Sequence, residues 1–140
     1  MGVTIKATNS TYNFDMGAGG FFDLRKNIAY ALDPDFGRVY SDIIHCHTSE
    51  EHIANDREAE HIINSKNLDE EYVDVLDFLY ASDCEGKITY KTCKKIYDII
   101  KDIDFGNECF RYGAIVHNDY EEFKAFLKEC YSHHRNMRWY

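Results

Sequence analysis

The chain begins with alternating apolar and polar residues and then changes to apolar spacings of three and four. Residues 3–8 alternate in this way, which is typical of a half-buried β-strand. Asn9 and Ser10 predict a turn, and residues 11–14 are predicted to return as a second short strand. The start of the chain is therefore predicted to form a small hairpin.

Apolar residues after this hairpin fall on single faces of amphipathic helices. Asp33 and Pro34 end a first helix and start a second, because Asp is a good N-cap and Pro suits the first helical position. Thr48 and Glu51 form a capping-box pattern that opens a third helix. The apolar positions of this third helix are few and poorly phased, so we expect it to lie at the periphery of the fold.

Three more helices are predicted in the second half of the chain. One is capped by Asp69, one starts at about Tyr90, and the last is capped by Asn118. Between the last two, residues 109–116 alternate as a strand would. The buried side of the helix that Asp69 caps is predicted to consist of Tyr72, Val75, Leu76, Leu79 and Tyr80.

The order of these elements predicts an α+β fold, with a small antiparallel sheet of two to three strands packed against five to six helices. We expect the first strand to pair with the strand at 109–116 and so to tie the two ends of the chain together. Residues 1–140 show no repeat or linker, so a single domain is expected. The predicted shared core consists of Ile5, Leu24, Ile28, Val39, Ile43, Leu76, Ile96, Ile100, Phe110 and Phe126.

Composition fits a globular protein. With 140 residues, of which 44% are hydrophobic and 15% aromatic, the chain has enough apolar side chains for a packed core. No apolar run approaches the ~20 residues that span a bilayer, and the first residues lack the features of a signal peptide. The five cysteines are odd in number and form no C-x-x-C pair. We therefore expect reduced thiols, a cytoplasmic location and no membrane partner.

Negative charge is concentrated between Ser49 and Asp77. This stretch holds ten acidic residues against only Arg57 and Lys66, and so it carries nearly all of the formal net charge of −9. The tail at 133–140 is the only basic focus that the sequence suggests, so direct binding of nucleic acid is disfavoured.

The acidic stretch predicts a basic protein as partner, because opposite charges attract over a surface. Its two helices are expected to be antiparallel neighbours whose outer faces merge. A purely solubilising role for the acids is the alternative. The predicted partner-binding residues are Glu50, Glu51, Glu58, Asp69, Glu70, Asp74 and Asp77.

The loop after the fourth helix copies part of an EF-hand. Gly86 supplies the sharp turn, and Asp83 and Glu85 occupy ligand positions. However, Ala81 and Thr92 stand where the first ligand and the bidentate carboxylate belong. The pattern therefore favours a helix–turn–helix connection without calcium.

A small-ligand or metal-binding module is the alternative function. The glycine turn 17–20 precedes a helix, and helix N-termini attract anions. The His45–His52 cluster, with Cys46 and His47, offers nitrogen and sulfur ligands for Zn²⁺, but no fourth ligand has the spacing of a structural site. We therefore expect no metal and no cofactor. No Cys–His combination is singled out as catalytic, so none is assigned.

The tail at 135–140 combines two arginines with Trp139 and Tyr140. Arg and aromatic residues are enriched at binding hot spots. Alternatively, Trp139 folds back to complete the core while the arginines meet the acidic helices. The sequence leaves both interpretations open.

Two segments carry a resemblance, namely SDCEGKITYKTCKKIYDII and GNECFRYGAIVHNDYEEFKAFLKECYSHHRNMRWY. They resemble small proteins carried by prophages and mobile elements of Gram-positive bacteria. The resemblance covers most of the chain and rests on the overall character of the sequence instead of a catalytic motif. It therefore assigns no catalytic residue. It implies an accessory role directed at the host, in which a small acidic protein binds and blocks a host or defence protein that itself binds nucleic acid.

Overall fold

The computed structural model describes residues 2–45, 48–82, 84–103 and 117–140. Within these ranges it contains a four-stranded sheet and six helices, which confirms the α+β prediction with one strand more than the expected two to three. The strands are β1 (Gly2–Ala7), β2 (Asn13–Gly17), β3 (Gly86–Ile88) and β4 (Met137–Trp139). The helices are α1 (Ala18–Leu32), α2 (Pro34–His45), α3 (Ser49–Lys66), α4 (Leu68–Tyr80), α5 (Tyr90–Ile100) and α6 (His117–Ser132).

The sheet has the order β2-β1-β4-β3, and every neighbouring pair is antiparallel. β1 and β2 form the predicted hairpin, in whose turn Asn9 adopts a φ of 57°. β4 lies between β1 and β3, with Trp139 opposite Ile5 on one side and Gly86 on the other. The early and late parts of the chain are thus joined through β4. The strand expected at 109–116 lies outside the described residues.

One hydrophobic cluster joins the sheet to the helices. Of the ten predicted core residues, the side chains of Ile43 and Phe110 lie outside the described part of the chain. The other eight are buried in that cluster, namely Ile5, Leu24, Ile28, Val39, Leu76, Ile96, Ile100 and Phe126.

Trp139 completes the core, as one of the two interpretations of the tail expected. The residue is 1% exposed, and its ring packs against Phe21 and Phe78. Its indole N–H donates to the Ser82 carbonyl at 2.9 Å. Gly86 is required beside it, because a Cβ at that position would overlap the indole ring.

A buried arginine secures the end of α4. Arg25 of α1 donates to the carbonyl oxygens of Ala81 and Ser82 at 2.8 and 3.0 Å, and its guanidinium lies 4.6 Å from the centre of the Phe21 ring. These bonds satisfy carbonyl groups just beyond the last turn of α4, where the helical pattern provides no partner. They also fix the start of the segment that leads to β3.

α4 departs most from its prediction. Tyr72 has φ −116° and ψ 23° inside the helix, so the helix kinks there. Val75, Leu76 and Leu79 are buried as predicted, but Phe78 is buried as well, whereas Tyr80, which the pattern placed in the core, is 47% exposed. The helix starts directly after Asn67, which has a φ of 54°, so Asp69 lies in the first turn instead of at the cap.

Candidate interaction surface

α3 is a peripheral helix, as the sequence predicts. The Thr48 hydroxyl accepts a hydrogen bond from the Glu51 N–H at 3.1 Å, which confirms the predicted cap. Ala59 is the single buried residue of α3, and the helix packs chiefly against α2. Across that contact, Arg38 pairs with Glu58 at 3.2 Å. Most of the surface of α3 therefore faces solvent.

Among the seven predicted partner-binding acids, Asp74 has a different environment from the rest. It is half-buried where α4 meets α5, and its carboxylate accepts hydrogen bonds from the Thr92 hydroxyl at 2.9 Å and from Lys95 at 3.1 Å. Burial opposes ionisation, but these hydrogen bonds and the Lys95 charge together hold the pKa of Asp74 below its usual value. Asp74 therefore joins two helices. The other six acids are exposed, namely Glu50, Glu51, Glu58, Asp69, Glu70 and Asp77.

α3 and α4 make few direct contacts, and α2 connects them. The Tyr40 hydroxyl of α2 donates to the Leu79 carbonyl at 2.6 Å, and the rings of Phe36 and Tyr40 lie 6.4 and 5.7 Å from that of Tyr80. Partial burial, Tyr40 and the Asp56 carboxylate of α3 raise the pKa of Tyr80 to about 12. The end of α4 thus lies within electrostatic range of the middle of α3.

Apolar side chains are exposed on the same two helices. Among the described residues, four large hydrophobic side chains are exposed, and three of them belong to α3 and α4: Ile53 at 50%, Val73 at 53% and Tyr80 at 47%. On α4, Val73, Asp77 and Tyr80 follow at spacings of four and three, so they share one face. The sequence pattern missed this mixed face because it assigned Tyr80 to the buried side of α4.

Most of the histidine cluster lies outside the described residues. Within the part of the chain that the structure describes, no group of three or more His, Cys, Asp or Glu side chains is placed to hold a metal ion. His52 and Asp56 share a face of α3, where the His52 Nε2 lies 3.3 Å from the Asp56 Oδ2. Cys46, His47 and the side chain of His45 lie outside the described residues.

The predicted glycine turn is not a separate turn. β2 ends at Gly17 and α1 begins at Ala18, so residues 18–20 form the first turn of the helix. Gly20 and Phe21 are buried, so this part of the helix belongs to the core instead of facing a dissolved ligand.

The two tail arginines do not contact the acidic helices. Arg138 is exposed and lies over the ring of Tyr140, 4.9 Å from its centre. Arg135 donates to the backbone carbonyl of Asn9 in the hairpin turn. The expectation that these arginines meet the acidic helices is therefore wrong.

No protein-family model, curated protein or solved structure matches this chain. Across the described ranges, none of the helices has both the length and the apolar character to cross a lipid bilayer. The structure thus shows an α+β fold in which α3 and α4 carry exposed carboxylates and exposed apolar side chains.

Proposed function

We propose that this protein acts by binding a basic protein through the exposed face of α3 and α4. The observation that carries the proposal is that nine exposed carboxylates, six of them among the predicted partner-binding residues, and three exposed apolar side chains lie on the same two helices. Carboxylates alone would serve solubility equally well. Exposed Ile53, Val73 and Tyr80 add apolar area whose burial favours association. Complementary charge then steers and orients the partner.

The partner class that we propose is a nucleic-acid-binding host protein, including a defence protein. Such a protein already carries a positive groove for phosphate, which an acidic helical face complements. Occupying that groove would block its access to nucleic acid. The resemblance to prophage proteins supports this direction, and the proposed encounter takes place in the cytoplasm. The same negative charge is why we propose no direct nucleic-acid binding.

Charge reversal tests the acidic part of the surface. In one variant Glu50, Glu70 and Asp77 are each replaced by Lys. Exposed charges contribute little to stability, so we expect this variant to fold normally. Association with a partner recovered from a Gram-positive lysate should slow by about tenfold or more, and the difference should shrink as salt is raised.

The matched control carries the same charge change elsewhere. Glu85, Asp102 and Glu122 are exposed and lie outside α3 and α4, so their replacement by Lys should leave association much closer to wild type. Association and dissociation rates are measured by surface plasmon resonance with the purified partner. Equal association rates for the two charge variants would mean that the acidic residues of α3 and α4 serve solubility and not partner binding.

The apolar part is tested separately. Val73→Ser removes an exposed apolar side chain without changing charge, and we expect faster dissociation with little change in association rate. An unchanged dissociation rate would mean that the apolar side chains of α4 lie outside the interface.

A further inference from the structure

A cleft lined by basic and aromatic residues lies beside α5. It has a volume of about 460 Å³, which is within the usual range of small-ligand sites. Residues from the first turns of α5 and from the end of α6 surround it. The lining residues are Tyr90, Lys91, Lys94, Lys95, Asp98, Tyr131 and His134.

Three lysines give this cleft a positive side in a chain whose net charge is −9. Lys94 is held by Asp98 at 2.9 Å and lies over the ring of Tyr131, 5.5 Å from its centre. Lys95 is held by Asp74 at 3.1 Å, while Lys91 is exposed. Only the tail was expected to be basic, although Lys91, Lys94 and Lys95 lie within five residues of one another in the sequence. The fold brings them next to Tyr131 and His134.

Aromatic rings form a second side of the cleft. The rings of Tyr90 and His134 are stacked, with centres 4.6 Å apart and planes 17° apart. His134 has a φ of 52° at the end of α6, where the next residue, Arg135, donates its N–H to the Cys130 carbonyl at 2.8 Å. Glycine or asparagine usually occupies such a left-handed position. A histidine there is strained, and its imidazole lies at the edge of the cleft.

We propose that this cleft binds a nucleoside monophosphate. The phosphate of the nucleotide would pair with Lys91 and Lys94, which lie one helical turn apart on α5. Its base can stack on the exposed His134 or against Tyr131, since Tyr and His rings are common stacking partners of unpaired bases. Asp98 can accept a hydrogen bond from the ribose or the base. One carboxylate in the lining and the acidity of the whole chain favour a single phosphate over a polyanion.

Calorimetric titration of the full chain with adenosine monophosphate and uridine monophosphate tests this proposal. We expect saturable one-to-one binding, with amide resonance shifts in a ¹⁵N-labelled sample confined to the cleft. Inorganic phosphate and adenosine, which each supply one half of the ligand, should bind about tenfold or more weakly. Lys91→Glu should weaken binding by about tenfold or more, whereas Arg57→Glu, the same charge reversal on α3, should not.

His134→Gly separates binding from folding. Glycine relieves the left-handed strain, which offsets the loss of the ring contact with Tyr90, so the thermal midpoint should change little. The loss of the His134 ring as a stacking partner should weaken nucleotide binding by about tenfold. The proposal is overturned if no saturable binding occurs at millimolar nucleotide, or if inorganic phosphate binds as tightly. It is equally overturned if both charge variants behave alike, if His134→Gly retains full affinity, or if a single-stranded oligonucleotide binds more tightly than the mononucleotide.

Discussion

Replacing Gly86 by alanine should destabilise the protein, because the added methyl group meets Trp139. The two residues are paired across β3 and β4, and a Cβ at position 86 would overlap the six-membered ring of the indole. Trp139 has no free space to move into, since it packs against Phe21 and Phe78 and its N–H is bonded to the Ser82 carbonyl.

Overpacking of this kind costs about 1–3 kcal/mol, and alanine offsets roughly 0.4–1 kcal/mol of that by restricting the unfolded chain. We therefore expect Gly86→Ala to lose about 1–2 kcal/mol of the free energy of unfolding. Trp139→Phe removes the obstructing ring, at a cost of roughly 1–3 kcal/mol for lost packing and one hydrogen bond. The double variant should then lose less than the sum of the single variants, by about 1 kcal/mol or more.

Urea unfolding followed by circular dichroism measures all four proteins of this cycle. Fluorescence is unsuitable because Trp139 is the one tryptophan of the chain. Gly2→Ala on β1 is the matched control, since its Cβ would meet only an ordinary contact at 3.4 Å from the Met16 carbonyl oxygen. Additivity of the two substitutions within about 0.5 kcal/mol would refute the proposed steric conflict.

Three further predictions follow from individual side chains. Thr48→Ala should lower the free energy of unfolding by about 1 kcal/mol, because the hydroxyl caps α3 at the Glu51 N–H. Thr48→Ser keeps a hydroxyl and should retain most of that stability. Equal urea midpoints for the wild type and both variants would contradict the cap. Leu76→Ala should cost about 2–5 kcal/mol in the same assay, since the side chain is buried, and a loss near zero would mean that α4 packs differently. Asp74→Asn should weaken acid sensitivity. The pKa of Asp74 is lower in the folded than in the unfolded protein, so its stabilisation is complete above the unfolded value of about 4 and is lost as pH falls through the folded value. Parallel stability curves of wild type and variant between pH 2 and 7 would count against that role.

Local signals predicted most of the helices and the hairpin correctly. The Asp33–Pro34 boundary, the Thr48 cap and the start of α5 at Tyr90 all lie where the sequence placed them. Each of these signals depends on residues within one turn of each other, so no long-range contact is needed to read them. The buried stripe of α5, which includes Cys93, Ile96 and Ile100, follows from the same local period.

The sequence did not predict the features that depend on contacts between distant parts of the chain. β3 and β4 have three residues each, too few for an alternating pattern, and they are strands only because β4 pairs with both β1 and β3. On α4, the regular helical period placed Tyr80 in the core, whereas Phe78 is buried and Tyr80 is 47% exposed. The basic cleft required Lys91 and His134 to meet, although they lie on different elements. The acidic stretch was evident in composition, but its apolar side chains were not.

The interior position of β4 has a consequence for synthesis on the ribosome. β1 and β3 emerge before the strand that separates them, so their facing edges stay unpaired until residue 139 has left the exit tunnel. Unpaired strand edges invite pairing with other chains, and incompletely folded chains are recognised by chaperones and proteases. Any product that stops short of Trp139 therefore lacks the strand that closes the sheet and is exposed to removal by quality control. Because β4 is the last strand to be synthesised, the sheet can be completed only after translation has passed Trp139.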